Sequence, residues 1–190
     1  MPMVKVTKHY SFEGTEGTVS LLDLFDGKTQ LIVHHFMFGP DWEAGCPGCT
    51  GHVNSIGDIS SLEKRDTKYV IVSRAPLQKL EAYKNLKGWT RPWYSSEHSD
   101  FNFDFNVSFS GDETEAQYNY APRGQSGEGE GPGMSVFFRI GDDVYHTYSV
   151  YARGLEPITD SYDFLDLTPY GRQEDFEDSP PGWPQSPTYG

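Results

Sequence analysis

Basic residues are scarce in this chain: 15 lysines and arginines stand against 28 aspartates and glutamates, a net charge of −13 over 190 residues. Neutralising phosphates takes clustered Lys and Arg, and no such cluster is present, which argues against nucleic acid and anionic membrane surfaces as partners. Long apolar runs are missing as well. No segment approaches the roughly 20 apolar residues of a membrane span. Met1-Pro2-Met3-Val4-Lys5-Val6 has no charged region leading into an apolar one, so a cytoplasmic protein is expected. Cysteine is the third scarcity: two residues make a poor disulfide framework for a chain of this length.

The cysteines that are present sit at one spacing, Cys46-Pro47-Gly48-Cys49. In a cytosolic chain such a pair reads as redox or metal chemistry. A hydrophobic fraction of 36% with 15% aromatics gives one domain a core without metal or disulfide staples. The mean hydropathy of −0.61 places polar segments outside that core.

Upstream of the cysteines, Leu31-Ile32-Val33-His34-His35-Phe36-Met37-Phe38 is a continuous run of branched and aromatic residues. It reads as a strand buried on both faces. Gly39, Pro40 and Gly45 make the next segment a loop. From Thr50 to Arg65, Val53, Ile56, Ile59 and Leu62 recur at every third residue and predict one helical face. Cys46 is therefore expected at or near a helix N-terminus, where unpaired N–H groups and the dipole favour a thiolate. Residues three apart on a helix share a face, so Cys46 and Cys49 can bridge without refolding the domain.

Elsewhere the pattern alternates strands and helices. Tyr10–Phe12 and Val19–Leu21 read as extended pieces around a turn, and Asp26-Gly27 turns the chain before the central strand. Lys68–Ser73 is a second buried strand. Pro76 opens a helix carrying Leu77, Leu80, Tyr83 and Leu86 that Gly88 ends. Strand, helix, strand, helix implies a βαβ unit with parallel strands. Trp93 and Tyr94 begin a third strand. Phe101, Phe103, Phe105, Val107 and Phe109 alternate with polar residues, the period of a half-buried strand. Residues 123–133 are too rich in glycine for a regular element and are expected to form a mobile surface loop. Met134–Ile140 and Val144–Tyr151 predict a hairpin across Gly141-Asp142-Asp143, and Ile158–Leu167 a final helix. The domain is expected over 1–170, with 171–190 an acidic, proline-rich disordered tail.

This order of elements is the outline of a thioredoxin fold: α/β, a central mixed sheet with a βαβ unit followed by a β-hairpin and a helix, and helices on both faces. More closely, Ser20–Gly27, Gln30–Pro40, Gly45–Cys49, Ser73–Pro76, Ser99–Phe105, His146–Ser149, Tyr151–Gly154 and Leu165–Arg172 resemble a bacterial thioredoxin-like family. That family has no firmly established function and is predicted to consist of dithiol-disulfide oxidoreductases. The resemblance covers residues 3 to 173 and implies the fold and a redox activity. Thioredoxins place Gly-Pro between their cysteines, where this chain has Pro47-Gly48. They set a cis-proline before the strand that faces the cysteines; Pro132 is the nearest candidate. Their buried acid is missing, and His34 and His35 stand at about its place.

The candidate site follows. Cys46 is expected to attack as thiolate and Cys49 to resolve the mixed disulfide. Successive strand residues point to opposite faces, so at most one of His34 and His35 can reach the cysteines and deprotonate Cys49. Trp42 has two readings, part of the active-site rim or a cover over the sheet edge. Arg74 has two readings, an anion or thiolate partner, or a surface salt bridge. Cys46, Cys49 and His52 form an alternative metal set, weak because C-x-x-C-x-x-H on one helix is no zinc spacing. The leading reading is a thiol-disulfide oxidoreductase that needs no cofactor and acts on a protein or low-molecular-weight disulfide or thiol. A thiol peroxidase is the alternative; it would use Cys46 for peroxide attack, with Arg74 and a hydroxyl near the sulfur. A non-catalytic protein that binds metal or a partner is the third.

Overall fold

A computed structural model describes residues 2–111, 116–124 and 127–185. Three short strands, β1 (Val4–Lys5), β2 (Ser11–Gly14) and β3 (Gly17–Ser20), and a 3-10 turn over Asp23–Phe25 precede the apolar run. The run forms β4 (Gln30–His35) and leads through a loop into α1 (Pro47–Ser55). Next come α2 (Ser60–Glu63), β5 (Thr67–Ser73), α3 (Leu77–Lys87), β6 (Trp93–Ser95), α4 (Phe101–Asp104) and β7 (Ser108–Gly111). The remaining elements are β8 (Gln117–Tyr118), β9 (Ala121–Pro122), β10 (Gly127–Glu130), β11 (Gly133–Ile140), β12 (Asp143–Tyr151), a 3-10 segment over Ala152–Ile158 and α5 (Asp160–Asp166).

Eight strands form one mixed sheet in the order β1-β12-β11-β4-β5-β6-β2-β3. β4 and β5 are parallel, as are β5 and β6, so α1 and α3 are crossover helices of the expected βαβ kind. β11 pairs antiparallel with β4 and with β12. Strand alternation then divides the core in two. Leu31, Val33, Val70, Val72 and Phe137 meet Phe25 and Phe101 on one face. Ile71, Met134 and Phe36 meet Val53 of α1 and Leu80 of α3 on the other. Helical elements thus cover both faces, as the sequence predicts.

Three expectations are corrected. The helix predicted from Thr50 to Arg65 is two: Ile56 turns extended at φ −70°, ψ 112°, and Asp58 receives the Ser60 N–H at 2.8 Å to start a new turn. A repeat of strictly three residues drifts around a helix of 3.6 per turn, whereas the break lets Ile56, Ile59 and Leu62 all reach the core. The strand predicted over Phe101–Phe109 is instead α4, a left-handed Asn106 at φ 54° and then β7. The Phe101 and Phe105 rings pack at a tilt with centroids 4.6 Å apart, and Asn102 is buried against the Ser96 hydroxyl at 2.8 Å. Residues 127–130, expected to be irregular, pair as β10 with β7; residues 125–126 of that stretch lie outside the described residues. The tail expected from 171 holds a buried Glu174, paired to Arg153 at 3.2 Å, and its residues 186–190 lie outside the described residues. Among the described residues no helix is long and apolar enough to cross a membrane.

Candidate functional site

The site starts from the backbone beyond β4. Met37 holds both ends of the cysteine motif: its carbonyl accepts the Cys46 N–H at 3.0 Å and its N–H donates to Cys49 Sγ at 3.5 Å. Cys46 is the N-cap of α1, with φ −53° and ψ 131°, and Pro47 takes the first helical position, where its missing N–H costs nothing. The Thr50 N–H and hydroxyl both donate to the Cys46 carbonyl, at 2.9 Å each. Both thiols are free; Cys46 is half-buried and Cys49 buried.

The two sulfurs share one proton unequally. The Cys49 thiol donates to Cys46 and, helped by the N–H groups of Cys49 and Gly48, holds the Cys46 thiol down from 9.0 to about 6 against the opposing effect of burial. The same contact, together with burial, pushes Cys49 well above 9.0. A thiolate held beside a thiol at a helix N-terminus can attack a sulfur or peroxide oxygen and then be resolved by its neighbour.

His34 faces the cysteine side and His35 the opposite one. His34 Nδ1 lies 2.9 Å from the Tyr69 hydroxyl, and its ring meets that of His52 at 4.9 Å. His35 Nε2 lies 2.8 Å from the Ser135 hydroxyl, beneath Phe101 and Phe105. Burial holds His34 well below 6.5 and His35 at about 3; burial, with the Arg91 charge, holds His52 at about 4. His34 is therefore neutral at pH 7.

These depressed imidazoles set a pH dependence. Below about pH 6.5 the unfolded chain binds protons that the folded one refuses, so their contribution is complete above that value and is lost as pH falls toward 3. Urea unfolding is expected at lower denaturant at about pH 4.5 than at about pH 7.5, while NMR finds His34 and His35 still neutral at about pH 5. An imidazolium signal from either at pH 6 would contradict their burial.

A cavity of about 190 Å³ opens beside the cysteines. Met37, Cys46, Gly48, Cys49, His34 and His52 form one wall, and Pro132, Ala152, Leu155, Glu156, Thr159 and Tyr162 complete it. Pro132 thus stands opposite the cysteines, as the proline of the resembled fold does, although no cis peptide occurs among the described residues. Trp42 is not part of the wall. It packs over Gly39 and, with Pro40, offers its carbonyl to Lys79 at 3.1 Å, which ties the loop to α3. Arg74 is engaged elsewhere too, with buried Glu130 at 3.0 Å and over the Phe103 ring at 4.4 Å. Among the described residues no three His, Cys, Asp or Glu side chains are placed to hold a metal, so Cys46, Cys49 and His52 do not assemble into one. The residues that sequence reasoning missed are Thr50, Tyr69 and the whole wall from 152 to 162; the last carries no motif.

Solved structures share this fold at low identity. The bacterioferritin comigratory protein of Xanthomonas campestris is 12% identical at a TM-score of 0.54, over 80% of this chain and 88% of its own. The peroxidoxin BcpB of Mycobacterium tuberculosis is 11% identical at 0.57, over 85% and 96%. A cysteine mutant of peroxiredoxin 6 from Arenicola marina is 12% identical at 0.52, over 88% and 76%. The fold is therefore that of the thioredoxin-like peroxiredoxins. No curated protein matches the chain. Residues 1–189 match the family described as bacterial protein of unknown function (DUF899), and the chain belongs to that family.

Proposed function

We propose that Cys46 and Cys49 are a redox-active dithiol that exchanges with a protein or low-molecular-weight disulfide and uses no cofactor. The observation that carries this reading is the asymmetry of the pair: an acidic, half-exposed Cys46 at the start of α1 and a buried, proton-retaining Cys49 one turn in. Cys46 attacks a substrate sulfur and expels one thiolate. Cys49 then attacks Cys46 and releases the second thiol, leaving a Cys46–Cys49 bridge. His34, neutral and in the same cavity wall, relays the Cys49 proton in the second step without holding it, since burial keeps its imidazole from charging. Cysteine usage and the acidic charge support a cytoplasmic setting, where the pair stays reduced between turnovers.

A second reading, thiol peroxidase, draws on the names of the structural neighbours, one of which is described by its alkyl peroxide reduction. It asks for a cation and a hydroxyl at the attacking sulfur. Arg74 is spent on Glu130 and Phe103, and the Thr50 hydroxyl on the Cys46 carbonyl, which favours dithiol exchange. Equilibration with glutathione buffers, followed by thiol alkylation and mass measurement, tests both. A two-electron, two-thiol transition between about −300 and −180 mV is expected. Dithiol exchange is refuted if Cys46 and Cys49 never bridge while peroxide converts Cys46 to a sulfenic acid.

A further inference from the structure

We infer that the cavity beside Cys46 takes a small, uncharged disulfide with an apolar body and a hydroxyl, and that His52 Nε2 receives the hydroxyl hydrogen. The inference rests on the dithiol reading and assigns its substrate class.

Size is the first argument. An apolar cavity of ~150 Å³ admits benzene, so about 190 Å³ holds roughly eight heavy atoms. A dialkyl disulfide with two-carbon arms fits this space, and a peptide loop or glutathione disulfide does not. Lining chemistry is the second. Met37, Pro132, Ala152 and Leu155 give apolar walls; no lysine or arginine is among the lining residues, and the one lining carboxylate, Glu156, is ion-paired to Arg153 at 2.9 Å and Arg172 at 2.6 Å. With no lining cation to receive it, and in a chain of net charge −13, a carboxylate-bearing disulfide is disfavoured.

Hydrogen bonding is the third, and it selects the hydroxyl. The Thr159 hydroxyl donates to the Leu155 carbonyl at 3.1 Å, so its oxygen is left to accept from His52 Nδ1 at 2.7 Å. That fixes the imidazole proton on Nδ1 and leaves Nε2 a lone-pair acceptor. Nε2 is buried with no partner among the described residues, on a residue only 7% exposed that belongs to the cavity wall. A buried acceptor left unpaired is costly, and a donor carried in by the occupant removes that cost. The exchange balances: Cys46 thiolate bonds to one substrate sulfur and expels the other as thiolate. Cys49, deprotonated through His34, closes the protein disulfide and frees the second thiol, for two electrons and two protons overall.

The test measures oxidation of the reduced protein by bis(2-hydroxyethyl) disulfide, diethyl disulfide and glutathione disulfide, each rate divided by that of the same compound with dithiothreitol. The hydroxyethyl compound is expected to exceed glutathione disulfide by about tenfold or more, and diethyl disulfide by about fivefold. His52→Phe is expected to abolish the preference over diethyl disulfide while retaining that over glutathione disulfide. Thr159→Val, which unlocks the tautomer without filling the cavity, is expected to reduce it. Glutathione disulfide matching the hydroxyethyl compound overturns the substrate class. A hydroxyl preference unchanged in both variants overturns the role of His52. No bridge with any of the three overturns the dithiol reading itself, and this inference with it.

Discussion

In Cys49→Ser protein a disulfide substrate is expected to stay covalently bound to Cys46, whereas Cys46→Ser protein is expected to form no adduct. Ionisation alone does not explain so sharp a difference. With Cys46 lowered to about 6 and Cys49 pushed well above 9.0, Cys46 has much the larger thiolate fraction at pH 7. A less basic thiolate is also a weaker nucleophile, which takes back part of that advantage. Burial supplies the rest: Cys49 is 4% exposed on the buried face of α1, with Sγ held by the Met37 N–H, while Cys46 stands half-exposed at the cavity. The acidity of Cys46 follows a separate rule. Its largest cause is the hydrogen bond from Cys49, so Cys49→Ala is expected to raise the alkylation midpoint of Cys46 well above about 6. Cys49→Ser, which keeps an O–H donor, is expected to move it less. Equal adduct yields from the two single serine variants would refute the division of labour.

The half of the site nearest the cysteines was legible because local rules decide it. A β-rich apolar run, Gly39 and Gly45 in the loop, proline at the first helical position and a cysteine before it fix β4, the turn and the N-cap without help from the rest of the chain. The other half was not legible. Thr159 reaches His52 across 107 positions, and nothing in Ile158–Leu167 marks that helix as part of a cavity wall. The misread at Phe101–Phe109 has a different origin. Alternation places aromatic residues two apart, but the same spacing places Phe101 and Phe105 four apart, which suits a helical turn. A burial partner decided between the two: Phe101 packs on Phe12, Tyr10 and Phe137. The glycine-rich stretch failed for the converse reason. Strand pairing uses only backbone groups, and β7 offered them; a Cβ on Gly111 would meet the backbone of Gly127 at 3.0 Å, so glycine permits this ladder.

Gly45 and Phe36 form the contact on which the position of Cys46 depends, and their substitutions are expected to be strongly non-additive. A Cβ on Gly45 would lie 2.6 Å from Phe36 Cε1 and 3.2 Å from Tyr83 Cε1. Phe36 cannot swing aside, being 1% exposed with its ring 4.8 Å from that of Trp93 and 5.9 Å from that of Trp89. Gly45→Ala must therefore displace the loop, at about 1–3 kcal/mol of stability. The displaced segment includes Cys46, whose N–H bonds the Met37 carbonyl at 3.0 Å, so the alkylation midpoint of Cys46 is expected to move up as well. Phe36→Leu alone costs about 1–2 kcal/mol through the cavity it leaves. In the double variant the added methyl occupies space that the ring vacated, so the two losses are expected to fall short of their sum by about 1 kcal/mol in urea unfolding. The midpoint of Cys46 is expected to return toward about 6 in the same protein. Additive losses, with the cysteine unchanged in all three variants, would mean that the sulfur is positioned by α1 alone and not by the packing beneath the loop.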